Sequence, residues 1–204
     1  MNRASNSRTI KALATIYFSM FSLSPVVAFA LSASSPSAGA VDCSFDRETL
    51  LALEYQHFDQ DPQNGWRTLA AKGCDKEAAE LLSDWRERHK DNRYILFWHE
   101  GQNRAFFGDY PAAISLFEKS RRRINEHRIG WNLYVDGSVA FLKGDLPKLK
   151  AARDRLTVVP KPPEWDEMRG VDGKLFNARW PVNLNVLDGF IRCWGQQYRD
   201  AYGC

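Results

Sequence analysis

Residues 92–123, NRYILFWHEGQNRAFFGDYPAAISLFEKSRRR, decide the fold. Tyr94, Phe97, Trp98, Gly101 and Ala105 recur at i, i+3, i+4, i+7 and i+11, which places them on one face of a helix. Gly108-Asp109-Tyr110 breaks that pattern, and Ala112, Ala113, Leu116 and Phe117 restart it. The segment predicts two antiparallel helices joined by a tight turn. One such pair cannot hide both apolar faces by itself, so it needs similar neighbours.

Neighbours of that kind recur at a fixed distance. Gly73-Cys74-Asp75, Gly108-Asp109-Tyr110 and Gly144-Asp145-Leu146 lie 35 and 36 positions apart. Glycine at each corner supplies a left-handed C-cap for the outgoing helix, and the aspartate caps the incoming one. Gly101 and Gly137 stand seven residues before the second and third corners, where a missing side chain lets helices approach closely; Trp66 takes that place in the first. The first hairpin reads as a short helix from Trp66 to Lys72, then a helix capped by Asp75 with Ala78, Ala79, Leu82 and Trp85 on one face. The third runs from about Ile129 to Leu156, through Trp131, Tyr134, Gly137, Ala140 and Phe141, then Leu149 and Ala152.

Outside the hairpins, Asp46 reads as the N-cap of a helix that ends near Phe58, and residues 59–65 as a turn. Residues 157–183 hold Pro160, Pro162, Pro163, Gly170, Gly173 and Pro181 beside Trp165, Phe176 and Trp180. Loops of this length are uncommon in compact domains and often functional. A final helix is expected from about Leu184 to Ala201, burying Val186, Leu187, Phe190, Ile191, Trp194 and Tyr198. The expected fold is all-α: stacked antiparallel helical hairpins with a C-terminal capping helix, in a single domain over residues 41–204.

Gly101, Ala105, Gly108-Asp109-Tyr110, Ala113 and Phe117 together resemble a tetratricopeptide repeat, whose period is about 34 residues. The third hairpin matches through Gly137, Ala140 and Gly144-Asp145-Leu146, with Leu149 replacing the small residue after the turn. The first matches through Gly73, Ala78 and Leu82. The resemblance covers residues 66–156 and implies an α-solenoid whose first helices line a concave groove for a peptide or a partner helix. On that implication Arg67, Gln102 and Ser138, each six residues before its corner, stack along the groove. His99 and Phe106 flank it in the second hairpin, Trp131 and Tyr134 in the third. Trp131 and Tyr134 serve equally well as core residues.

The start of the chain has a different purpose. Arg3, Arg8 and Lys11 precede an apolar run from Ala12 to Leu31, and Ala28-Phe29-Ala30 and Ala38-Gly39-Ala40 both fit small-residue cleavage sites. Residues 1–40 read as a signal peptide, cut after Ala40, which directs the chain to the periplasm or out of the cell. A retained anchor is the alternative, because the run is about 20 residues long, although Ser19, Ser22, Ser24 and Pro25 weaken it. The leader holds three of the 28 basic residues and none of the 25 acidic ones, so residues 41–204 balance at 25 against 25. A balanced domain lacks the clustered positive field of a nucleic-acid binder, and no membrane span remains after cleavage. The basic run Lys119, Arg121, Arg122 and Arg123 closes a helix, where cations offset the dipole.

All four cysteines follow the leader, and an even count in an exported chain favours disulfides. Cys43 and Cys74 would pin the opening hairpin, contributing about 3 kcal/mol by constraining the unfolded chain. Cys193 and Cys204 are then partners by elimination. On one straight helix they would stand about 16 Å apart, so that bond requires a break near Gly195 or Gly203. No CxxC motif suggests thiol exchange.

No catalytic, metal-binding or cofactor motif stands out. His57, His89, His99 and His127 form no i, i+4 pair, and His99-Glu100 lacks the second histidine of a zinc peptidase. Acidic pairs such as Asp59/Asp61 and Asp166/Glu167 read as solvated loop residues. No cofactor is expected, and the expected partner is a protein or peptide. The alternative is a glycan or cell-wall binder or enzyme that uses Trp165, Phe176 and Trp180 as platforms for sugar rings.

Overall fold

The computed structural model describes residues 41–123, 129–169, 173–175 and 178–204. The expected leader (residues 1–40), His127 and Phe176 lie outside the described residues. Nine α-helices are described: α1 Arg47–Leu51, α2 Arg67–Ala71, α3 Asp75–His89, α4 Tyr94–Phe106, α5 Tyr110–Lys119, α6 Trp131–Leu142, α7 Leu146–Thr157, α8 Leu184–Arg192 and α9 Tyr198–Tyr202. A π-helical turn at Gln56–Gln60 and a 3-10 turn at Pro163–Glu167 complete the set. Extended pairing among the described residues is limited to an isolated bridge between Arg169 and Leu175. The protein is all-α.

The three corners are built alike. Gly73, Gly108 and Gly144 have φ of +83°, +91° and +69°. At each, the amide two residues after the last helical turn bonds back over five positions: Cys74 to the Leu69 carbonyl, Asp109 to Arg104 and Asp145 to Ala140. That is the bonding by which a left-handed residue closes a helix. Asp109 and Asp145 then accept from the amides of Ala112 and Lys148 and open α5 and α7. The first corner departs from the expectation. Asp75 is the first residue of α3 rather than its cap, and Cys74 precedes it with no side-chain cap bond.

Successive helices pack in order, α2 on α3, α3 on α4, α4 on α5, α5 on α6, α6 on α7 and α7 on α8, so the hairpins lie side by side. Helix α4 is enclosed on most sides. A Cβ at Gly101 would lie 2.8 Å from the ring of Phe117, which itself stacks on Trp98 with centroids 4.2 Å apart. Gly137 makes a close approach too, but toward α8: its Cβ would lie 2.5 Å from Leu187. On the other side of α4, Glu100 is 2% exposed and holds Arg86 of α3 and Arg104 of its own helix; Arg104 also pairs with the corner residue Asp109 at 3.1 Å. Glu100 thus ties two hairpins and a corner together. A buried carboxylate is tolerated when paired and hydrogen-bonded in this way.

Both ends differ from the sequence expectation. The first helix stops at Leu51 instead of reaching Phe58, and the chain turns before the π-helical segment. Trp85 explains the change: it stacks on Phe58 (4.6 Å) and donates its Nε1–H to the Leu53 carbonyl, holding both sides of the break. The last helix is two helices. Residue Gly195, at φ +88°, turns the chain after α8, and α9 folds back. Cys43–Cys74 and Cys193–Cys204 are both bonded, with Cα–Cα distances of 5.6 and 6.3 Å.

The two kinds of glycine should fail differently. Gly101→Val should lower unfolding stability in urea by about 2–3 kcal/mol through overpacking against Phe117. Gly108→Ala, whose Cβ would meet nothing within 4 Å, should cost only about 1 kcal/mol through its positive φ. Equal losses would remove the assignment of Gly101 to close packing.

Candidate functional site

The π-helical turn after α1 carries an acid into the interior. Phe58 is anchored on Trp85, and the next residue, Asp59, is 0% exposed. Three elements converge on it. Trp66, just before α2, donates its Nε1–H to Asp59 Oδ1 at 3.0 Å. His99 of α4 places Nδ1 2.7 Å from the same oxygen. Arg67 of α2 donates from Nε to the Asp59 backbone carbonyl at 2.6 Å, and Gln60 donates to Oδ2 at 2.5 Å.

The carboxylate fixes the imidazole. Hydrogen-bonded to a carboxylate, Nδ1 carries the ring proton as a donor, which leaves Nε2 as the ring's remaining polar atom. The ring lies against Trp66 with centroids 5.0 Å apart, and the Arg67 guanidinium stands 4.4 Å from the Trp66 ring centre. Burial by itself raises the pKa of Asp59. The hydrogen bond and charge of His99, the Trp66 donor and the Arg67 charge outweigh it, and hold the carboxyl below its ordinary value. The result is an imidazole and a guanidinium held in place on a buried indole.

Further along the same face of α4 are Gln102 and Phe106, both partly covered by the end of the chain. Tyr198 of α9 is fully buried among Phe106, Phe141 and Phe190, with ring centroids 5.5, 6.1 and 5.1 Å away. Tyr202 meets Phe106 edge-on at 5.4 Å. Arg199 lies over Phe106 at 4.8 Å and forms an ion pair with Asp75. Burial pushes the Asp75 carboxyl above its ordinary pKa, only partly offset by Arg199.

The expected groove residues therefore separate. Arg67 and His99 come together at Asp59, and Gln102 and Phe106 continue their line. Trp131, Tyr134 and Ser138 are buried rather than displayed on an open surface. Trp131 donates to the Ser120 carbonyl at 2.8 Å and packs against Trp98. Tyr134 sits so deep that burial, with Tyr202 and Tyr198 nearby, raises its phenol well above the usual pKa. Ser138 has no hydrogen-bond partner for its hydroxyl among the described residues. Stacking of Arg67, Gln102 and Ser138 as an exposed ladder is not observed.

The loop tryptophans serve one another. Trp165 is 3% exposed and meets Trp180 at 4.8 Å, edge-on, while Trp180 donates to the Val159 carbonyl at 3.1 Å. Trp165 has no open face for a sugar ring. Cys43, Cys74 and Glu77 are gathered closely enough to hold a metal ion, but the two sulfurs are joined to each other. Between α5, α6 and α7 lies a groove of about 450 Å³, where Arg121 is already paired with Glu118 and Asp136.

Asp59 was hidden from the sequence reading. It stands in a stretch of turn composition, and its partners lie 7 and 40 positions away. Trp66 and the α9 residues Tyr198, Arg199 and Tyr202 likewise carry no motif that marks them. No family model, curated protein or solved structure matches the chain.

Asp59→Asn should lower stability at neutral pH on the order of 3 kcal/mol, because it removes one partner of a buried pair. A carboxyl with a depressed folded pKa stabilises above its unfolded value, about 3.9, and that contribution is lost as pH falls through the folded pKa. The stability difference between wild type and variant should hold above about pH 5 and shrink below about pH 4. A difference that vanishes already near pH 6 would contradict the assignment.

Proposed function

We propose that this is an exported, tetratricopeptide-like helical-repeat protein that binds a protein or peptide through the α2–α4 end of its concave face. The observation that carries the reading is the pinned His99, held by a fully buried Asp59 beside Trp66 and Arg67. Fixing an imidazole and placing a guanidinium over indole costs side-chain freedom in advance, so less is lost when a partner docks. The Arg67 guanidinium and the Gln102 amide suit the carbonyls of a peptide, and the His99 Nε2 suits one of its N–H groups.

Export is supported by the basic-apolar-small leader and by two disulfides, which persist in oxidising compartments. No helix among the described residues is long and apolar enough to cross a membrane. The repeat reading rests on three corners with one bonding pattern, 35 and 36 residues apart. The glycan alternative is weakened by the burial of Trp165.

A peptide-display library panned on wild type and on an Arg67→Ala/Gln102→Ala double variant tests the proposal. Peptides enriched by wild type should lose at least about tenfold in affinity for the variant, equivalent to about 1.4 kcal/mol. The same peptides bound equally well by both proteins would place the site elsewhere.

A further inference from the structure

Helix α9 has only five residues, far below the length at which a helix is stable alone. Its position comes from what it touches and from what ties it down. Tyr198 fills an aromatic socket made by α4, α6 and α8, Tyr202 closes over Phe106, and Arg199 reaches Asp75 at the start of α3. The Tyr198 amide donates to the Tyr110 hydroxyl at 3.2 Å. Against α8, a Cβ at Gly189 would lie 2.9 Å from the Ala201 carbonyl, so the backbones nearly touch. The Cys193–Cys204 bond clasps the segment across its base, and Arg192 donates to the Cys204 carbonyl.

This is how a bound peptide sits in a groove: aromatic side chains in pockets, a charge on a complementary charge, and few contacts of its own making. Its two buried residues, Tyr198 and Ala201, hold it in place, and a short terminal segment of this kind can open without global unfolding.

We propose that α9 is a displaceable internal ligand. The face made by Phe106, Phe141 and Phe190, with Asp75 at its edge, accepts a partner helix bearing two aromatic residues four apart and an arginine directly after the first. Tyr198, Arg199 and Tyr202 are that pattern in this chain. The Cys193–Cys204 bond sets how strongly α9 competes, because a tethered ligand acts at a high effective concentration. This inference rests on the proposed function and names the chemistry of the partner.

The probe is a fluorescein-labelled peptide matching residues 197–204, with serine in place of Cys204, titrated by anisotropy against the full chain. Cys193→Ser/Cys204→Ser should bind it on the order of tenfold more tightly than wild type does. Arg199→Ala, with both disulfides intact, should also bind more tightly than wild type. Adding Asp75→Asn to the cysteine variant should reverse most of the gain, and a scrambled peptide should not bind. Equal binding by wild type, Cys193→Ser/Cys204→Ser and Arg199→Ala overturns the proposal. So does loss of cooperative unfolding in the cysteine variant, since α9 would then be core rather than ligand. Either result leaves the Arg67/Gln102 comparison to be decided separately.

Discussion

At each of the three corners a glycine adopts a backbone conformation that an L side chain resists. The outgoing helix must end there, and the amide that bonds back to Leu69, Arg104 or Ala140 fixes the exit direction of the chain. Every later contact presupposes those directions. Phe117 stacks on Trp98 because the second corner returns α5 antiparallel to α4, and Leu149 is buried because the third corner does the same for α7. Stacking then packs each hairpin on the next, through α3 on α4 and α5 on α6.

Within that frame α4 is enclosed by opposite means on its two sides. Toward α5 it offers Gly101 and Ala105, so the backbones approach and aromatic rings fill the remainder. Toward α3 it offers Glu100, whose two arginines would be costly to leave unpaired. The apolar side gains from close packing, and the charged side gains specificity of register, since Glu100 meets Arg86 only at one sliding position of α3 on α4. The third side, with His99, Gln102 and Phe106, meets neither neighbour fully. It is the side on which the Asp59 cluster and α9 are built.

The features legible in the sequence were those whose cause is local. A glycine with positive φ, an aspartate at an N-cap and a 3.6-residue period each leave a signature within a few positions, so the hairpins and two of the three caps could be read directly. Asp75 follows the same pattern but caps nothing, because its carboxylate is claimed by Arg199, 124 positions away. Asp59 has the sequence signature of a solvated loop acid for the same reason: nothing near it in the chain foretells His99, 40 positions away. Trp85 ends α1 early, against an apolar pattern that would otherwise continue, whereas the break after α8 falls at Gly195, where the Cys193–Cys204 bond requires one. Arg67 and His99 were found, although the partner that unites them was not.

The covering of α4 and α6 by the end of the chain also changes what a hairpin stack of this size has to achieve. Three hairpins leave the first-helix side of the last pair open, and an uncovered set of Phe106, Phe141 and Phe190 would form an adhesive apolar patch. Helix α8 packs on α6 and α7, while α9 is the element that packs on α4. The chain reaches α4 by breaking at Gly195 and sending α9 back over the gap, with Arg199 spanning to the first hairpin at Asp75. A five-residue helix has too little intrinsic stability to hold such a position. The clasp at Cys193–Cys204 and the ion pair at the far end therefore act together, one limiting where α9 can go and the other defining where it stops. Covering this part of α4 leaves Arg67 and His99 as the partly exposed polar groups at its other end, packed on the buried Trp66.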